Sequence, residues 1–251
     1  MKEFPISGEQ EQPHKIQNLS ELLHEPKEDY SRVIAEASRE ELDEGELSAS
    51  YSHTWDRFVS RHKIKDEDPR LVELFKKAIS GNVLCELGGA GGRMEFLAAN
   101  MDAGLYINVD KYPNGIKNDP KPVDPMVGVI KQRDFVVKMS GMKDVVLIEG
   151  IHDEIHVRAD MLDFISRLKD ASVNIVINGI DSEVIKVPEY HELLAKEILR
   201  VTKKNGVIFG NMSDSLFILK SMIKKSPELK DQFEIVEAKV GAGGAVVIHR
   251  K

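Results

Sequence analysis

The residues best able to do chemistry gather where short apolar runs end. Val83-Leu84-Cys85-Glu86-Leu87-Gly88-Gly89-Ala90-Gly91-Gly92-Arg93 is an apolar run with an acid near its end, then a glycine-rich turn into a helical stretch. In an open α/β sheet this first turn lies at the carboxyl edge, where ligands bind. Glycines permit positive φ and remove the Cβ atoms that would keep a ligand off the backbone. A carboxylate at Glu86 suits a ligand with a cationic amino group. Asp110, after Tyr106-Ile107-Asn108-Val109, is placed to accept both hydroxyls of a ribose. A glycine cluster can be a plain turn and a strand-end acid a plain cap. The two together favour a bound ligand.

Other residues have blander readings. Asp160 in Arg158-Ala159-Asp160-Met161-Leu162 stands where an acid could meet a ligand or simply N-cap the next helix. Cys85, the only cysteine, lies mid-run among apolar residues and reads as core. His152-Asp153-Glu154-Ile155-His156 approaches a zinc-binding pattern, but the Glu is displaced. On a strand, positions four apart lie ~13 Å from each other, too far for one metal, and no metal is expected. Asn178 and Asp181 follow the fourth strand and are the candidate catalytic residues, with His53 and His191 as further candidate bases.

These positions need a frame. From Asn82 onward, strand-like runs alternate with helical stretches: Val83–Leu87, Leu105–Val109, Glu154–Ala159, Val173–Ile177 and Val207–Gly210, with helices over roughly 189–201 and 214–225. Such alternation predicts βαβ crossovers and a parallel sheet covered on both faces. Phe233–Lys239 and Ala245–Arg250, separated by Val240-Gly241-Ala242-Gly243-Gly244, read as a closing hairpin. The stretch between Asp110 and Glu154 is least legible; Val127–Met139 fits a crossover helix, and Val145–Ile148 an extra strand or the start of the third. Asp68-Pro69 opens a helix with Leu71, Leu74, Phe75 and Ala78 on one face. Three parts result: a polar, proline-bearing tail over 1–27, a helical extension or lid over 28–67, and the α/β domain over 68–251.

The ordered motifs resemble the class I S-adenosylmethionine-dependent methyltransferases. That family's first-strand motif is an apolar run, Asp or Glu, then Gly-x-Gly-x-Gly; this chain offers Glu86, Gly88 and Gly92, with Ala90 at the middle glycine. The resemblance makes Asp110 the ribose acid and Asp160 the acid facing the adenine amino group. Gly89, Lys111, Met161 and Asn178 complete the implied cofactor site. Val173–Asn178 then corresponds to the strand lining methyl transfer, and Glu197–Val207 to the helix and turn entering the fifth strand. The implied fold is a Rossmann-like, mostly parallel seven-stranded sheet with helices on both faces, an antiparallel C-terminal hairpin and an N-terminal helical extension. The implied cofactor is S-adenosyl-L-methionine, and Tyr51, His53, Trp55 and Arg57 would shape the acceptor pocket.

Composition narrows the setting. A formal net charge of -7 argues against a broad basic face, so a small-molecule or protein acceptor is favoured over nucleic acid. The first residues lack a secretory apolar run, and no apolar run approaches the ~20 residues that span a bilayer, so a cytoplasmic protein without membrane contact is expected. Two other functions share the pattern. A nicotinamide-dependent oxidoreductase would need Gly-x-Gly-x-x-Gly. From Gly88 the second and third places hold Ala90 and Arg93; from Gly89 the third holds Met94. A non-catalytic binding module is the other.

Overall fold

The computed structural model describes residues 19–40, 69–88, 94, 97–98, 101–111, 134–137, 144–149, 153–177, 185–210, 214–240 and 243–251. Nine strands form one sheet: β1 (Val83–Leu87), β2 (Leu105–Asp110), β3 (Asp134–Val137), β4 (Asp144–Glu149), β5 (Asp153–Arg158), β6 (Asn174–Ile177), β7 (Val207–Gly210), β8 (Phe233–Val240) and β9 (Gly243–Arg250). Their order is β3-β4-β5-β2-β1-β6-β7-β9-β8. The run β5-β2-β1-β6-β7 is parallel. The hairpin β8–β9 joins β7 antiparallel, and β3–β4 extends the other side, antiparallel to β5.

The expected seven strands are therefore corrected to nine among the described residues. Residues 134–137 form a strand where the sequence reading placed a helix, and 144–149 form a separate strand paired with β5. Both carry Val, Ile or Phe runs, which fit a pleated surface better than a helix.

Every residue of β1 is buried, as a central parallel strand requires. Alternation along β1 divides the core. Val83, Cys85 and Leu87 join one cluster with α3 (Met161–Ser166), α4 (Pro188–Val201) and α5 (Asp214–Lys225). Leu84 joins the other with α2 (Pro69–Ile79), Met94, Leu97 and Ala98. Phe75 of α2 meets Phe209 of β7 with ring centroids 4.6 Å apart. Buried Asn174 stitches the amino edge: its amide donates to the Ala78 and Val83 carbonyls and accepts from Val207 N–H, each at 3.0 Å. After α5, α6 (Pro227–Gln232) leads into the hairpin.

Part of the expected tail belongs to the body. Leu19 and Leu22 are buried, and Leu23 bridges to Leu168. His24 N–H donates to the Arg167 carbonyl, and Lys169 N–H to that of Leu22, both at 2.8 Å. An apolar triplet in a polar stretch is hidden by averaged composition; residues 1–18 of the tail lie outside the described residues. Helix α1 (Ser31–Glu40) then packs along α4 with Val33 and Ala37 buried. Tyr30 donates to Glu197 at 3.2 Å, and Arg32 pairs with Glu189 through two contacts of 2.8 and 2.9 Å. Arg200 ties the region together, donating to Glu197, Asp170 and the Ile165 and Leu168 carbonyls at the end of α3. Of the expected lid over 28–67, residues 41–67 lie outside the described residues. No helix among the described residues is long and apolar enough to cross a membrane.

Candidate functional site

The parallel strands end side by side, and their last residues bring the predicted acids to one edge. At the end of β1, Gly88 has φ 76°, a backbone conformation that costs a residue with a Cβ roughly 1–2 kcal/mol. Its N–H donates to the Val109 carbonyl of β2 at 2.9 Å. The register Leu87↔Val109 sets this turn beside Asp110, the partly buried last residue of β2. In the strand register, the backbone of Asp110 lies opposite that of Arg158 at the end of β5.

Glu86 shares the face of Leu84, is fully buried, and accepts Met94 N–H at 3.1 Å on Oε2. The Tyr106 hydroxyl donates to the same oxygen. Met94 begins a helical turn, its carbonyl accepting Ala98 N–H at 2.9 Å. A carboxylate at a helix N-terminus is favoured by the N–H groups and the helix dipole. Oε2 of Glu86 is thus engaged by β2 and by the chain at Met94, on the Leu84 face of β1. Sequence reasoning missed Tyr106. The available signal was a tyrosine in an aliphatic strand, whose hydroxyl must find a partner when buried.

Asp160 N-caps α3: Oδ1 accepts Leu162 N–H at 2.9 Å and Asp163 N–H at 3.4 Å. The Tyr190 hydroxyl donates to the same oxygen at 3.0 Å. Burial raises the Asp160 pKa above its ordinary value; the charge of Lys111 and these hydrogen bonds pull it partly back. The capping role considered for Asp160 is therefore the one its hydrogen bonds show. Met161 opens α3, partly buried against the core. Lys111, next to Asp110, donates from Nζ to Ser38 Oγ at 2.7 Å, bringing the last turn of α1 to this edge. Ser38 and Tyr190 were not foreseen.

The end of β6 is pressed close to β7. A Cβ on Gly210 would lie 2.1 Å from the Ile177 carbonyl oxygen, so only glycine fits beside the residue preceding Asn178. Gly89, Ala90, Gly92, Asn178 and Asp181 lie outside the described residues, as do Tyr51, His53, Trp55, Arg57 and His152.

His191 is corrected as a candidate base. It is buried on α4, with Nε2 2.7 Å from the Ile185 carbonyl and Nδ1 3.2 Å from Ser215 Oγ. The carbonyl requires the proton on Nε2, which leaves Nδ1 to the serine hydroxyl, and both nitrogens serve packing. Cys85 is fully buried, and burial pushes its thiol pKa up, away from the thiolate a nucleophile needs. Among the described residues no three His, Cys, Asp or Glu side chains gather to hold a metal.

The sequence matches no protein-family model and no curated protein. In structure the chain is similar to precorrin-6y C5,15-methyltransferase from Geobacter metallireducens, at 15% identity and TM-score 0.41, over 72% of this chain and 87% of that one. It is similar to an rRNA methylase from Streptococcus thermophilus, at 8% identity and TM-score 0.43, over 71% and 92%. It is also similar to SMU.1697c from Streptococcus mutans, solved in complex with SAH, at 8% identity and TM-score 0.43, over 74% and 99%. At these values the functional reading rests on the residues of the edge itself.

Proposed function

We propose that this chain is an S-adenosylmethionine-dependent methyltransferase whose cofactor lies across the carboxyl ends of β1, β2, β5 and β6. The observation that carries the reading is the junction of Gly88 and Asp110: a positive-φ glycine hydrogen-bonded to the strand that delivers a carboxylate beside it. A carboxylate there can accept both hydroxyls of a ribose, while the glycine turn leaves room for the backbone to approach the ligand. The donor set suits a neutral nucleoside. Two acids, Asp110 and Asp160, stand at an edge where a pyrophosphate would want positive charge.

In this reading Asp110 holds the ribose, with Lys111 beside it. Asp160 and Met161 border the nucleobase, Asp160 facing the amino group. Gly88, Gly89, Ala90 and Gly92 form the turn under the methionyl part, and the Glu86 carboxylate keeps that turn in shape from beneath. Asn178 and Asp181 follow β6, where the acceptor would stand.

The bound cofactor supplies an activated methyl group on a sulfonium, ready for in-line displacement. The chain's work is then to align the acceptor with that carbon and exclude water. Asp181 is the residue to take a proton where the acceptor carries one, and Asn178 the residue to orient it. Helix α1 is docked at the ribose end of this edge through Ser38 and Lys111.

The test is equilibrium binding of S-adenosylmethionine and NADPH to the purified protein, then transfer of a labelled methyl group to small-molecule, protein and RNA acceptors. Micromolar S-adenosylmethionine binding without NADPH binding, followed by label transfer, is expected. NADPH binding in its place would overturn the reading.

A further inference from the structure

A polar link joins the ligand edge to a helix outside the βα units. Lys111 Nζ donates to Ser38 Oγ at 2.7 Å, and Ser38 donates onward to the Ile34 carbonyl at 2.8 Å. The serine hydroxyl is thus engaged on both sides, and the ammonium is aimed at the last turn of α1. The charge of Lys111 also acts on Asp160, the cap of α3 that receives Tyr190 from α4. Lower on α1, Arg32 pairs with Glu189, while Val33 and Ala37 are buried. The helix is therefore anchored independently along its length, and the Lys111–Ser38 bond governs its upper end.

We infer that Lys111 is a positioning residue for the nucleoside end of the site, acting through Ser38 on α1. Lysine has a long stem with several rotatable bonds, and the charge of Lys111 acts on the Asp160 carboxylate. Holding its tip on α1 fixes the backbone just after Asp110 and ties the docking of α1 to the occupancy of that acid. The inference rests on the nucleoside reading above. It adds that affinity for the cofactor depends on the N-terminal helix.

The experiment uses the full chain and three variants, Ser38→Ala, Ser38→Thr and Lys111→Met. Without ligand, amide exchange in the last turn of α1 should quicken about threefold or more in Ser38→Ala and Lys111→Met, as for loss of a tether on a locally opening segment. Calorimetry should show S-adenosylhomocysteine binding weakened about threefold to tenfold in both, the scale of one side-chain hydrogen bond. Ser38→Thr, which keeps the hydroxyl, should restore both readouts. The Ser38→Ala/Lys111→Met double variant should lose less than the sum of the two singles, since the Lys111–Ser38 bond is common to both changes. Unchanged exchange in Ser38→Ala, wild-type affinity in Ser38→Ala, or additive losses would each overturn the inference and leave the nucleoside reading standing. Failure of the wild type to bind S-adenosylhomocysteine would overturn both.

Discussion

Tyr106 on β2 donates its hydroxyl to the carboxylate of Glu86 on β1, and the same oxygen accepts Met94 N–H at 3.1 Å. One buried acid thereby connects two neighbouring strands and the backbone at Met94, and one of its partners is a tyrosine twenty residues away.

Tyr106→Phe removes one donor and leaves the buried carboxylate under-satisfied. Urea unfolding should show a loss of about 1–3 kcal/mol, as expected for a buried acceptor deprived of a partner. Cofactor affinity should fall with it, because the turn loses its support. Wild-type stability in this variant would contradict the role assigned to the pair.

Gly88 and Gly210 should respond differently to alanine. At Gly88 the penalty is backbone strain at φ 76°, about 1–2 kcal/mol. Gly88→Asn should recover part of it, since asparagine tolerates that conformation. At Gly210 a Cβ would lie 2.1 Å from the Ile177 oxygen, a collision that no backbone rotation at one residue relieves. Gly210→Ala should therefore lower the melting temperature more than Gly88→Ala; the reverse order would contradict the close approach of β6 and β7.

Asp160 gives a pH signature. Its folded pKa is raised above the ordinary 3.8, mainly by burial. A raised acid contributes stability that is fully present below its unfolded pKa and is lost as pH rises through the folded pKa. Asp160→Asn keeps a good N-cap and an acceptor for Tyr190 but does not titrate. Measured by chemical unfolding, wild-type stability relative to this variant should decline as pH rises upward from 3.8 and then level off. A pH-independent difference would contradict the burial of this carboxylate.

Much of this frame could be read from residue types. The runs at β1, β2, β6 and β7 are mainly apolar because both faces are covered, and the helix over 214–225 was legible from its pattern of apolar residues. Asp110 was legible because it ends such a run. Val145–Ile148 was open to reading as the extra strand that β4 is, but β3 was not legible: its short Val and Phe run follows a proline-rich stretch and suits either period over a few residues. Leu19 and Leu22 were hidden by polar neighbours. Glu86 was found by type, while its partners Tyr106 and Met94 were not, although strand alternation puts it on the face of Leu84, toward Met94. His191 looked reactive because a sequence does not reveal that both ring nitrogens are engaged by the chain itself.

The most direct measurement is calorimetric titration of S-adenosylmethionine into the wild type and into Asp110→Ala, with NADPH as control. The account predicts micromolar binding to the wild type, no NADPH binding, and a loss of about tenfold or more in the variant, the scale of hydrogen bonds to a charged group. Equal affinity in the two proteins, or no binding to a well-folded wild type, would contradict the assignment of this edge to a nucleoside cofactor.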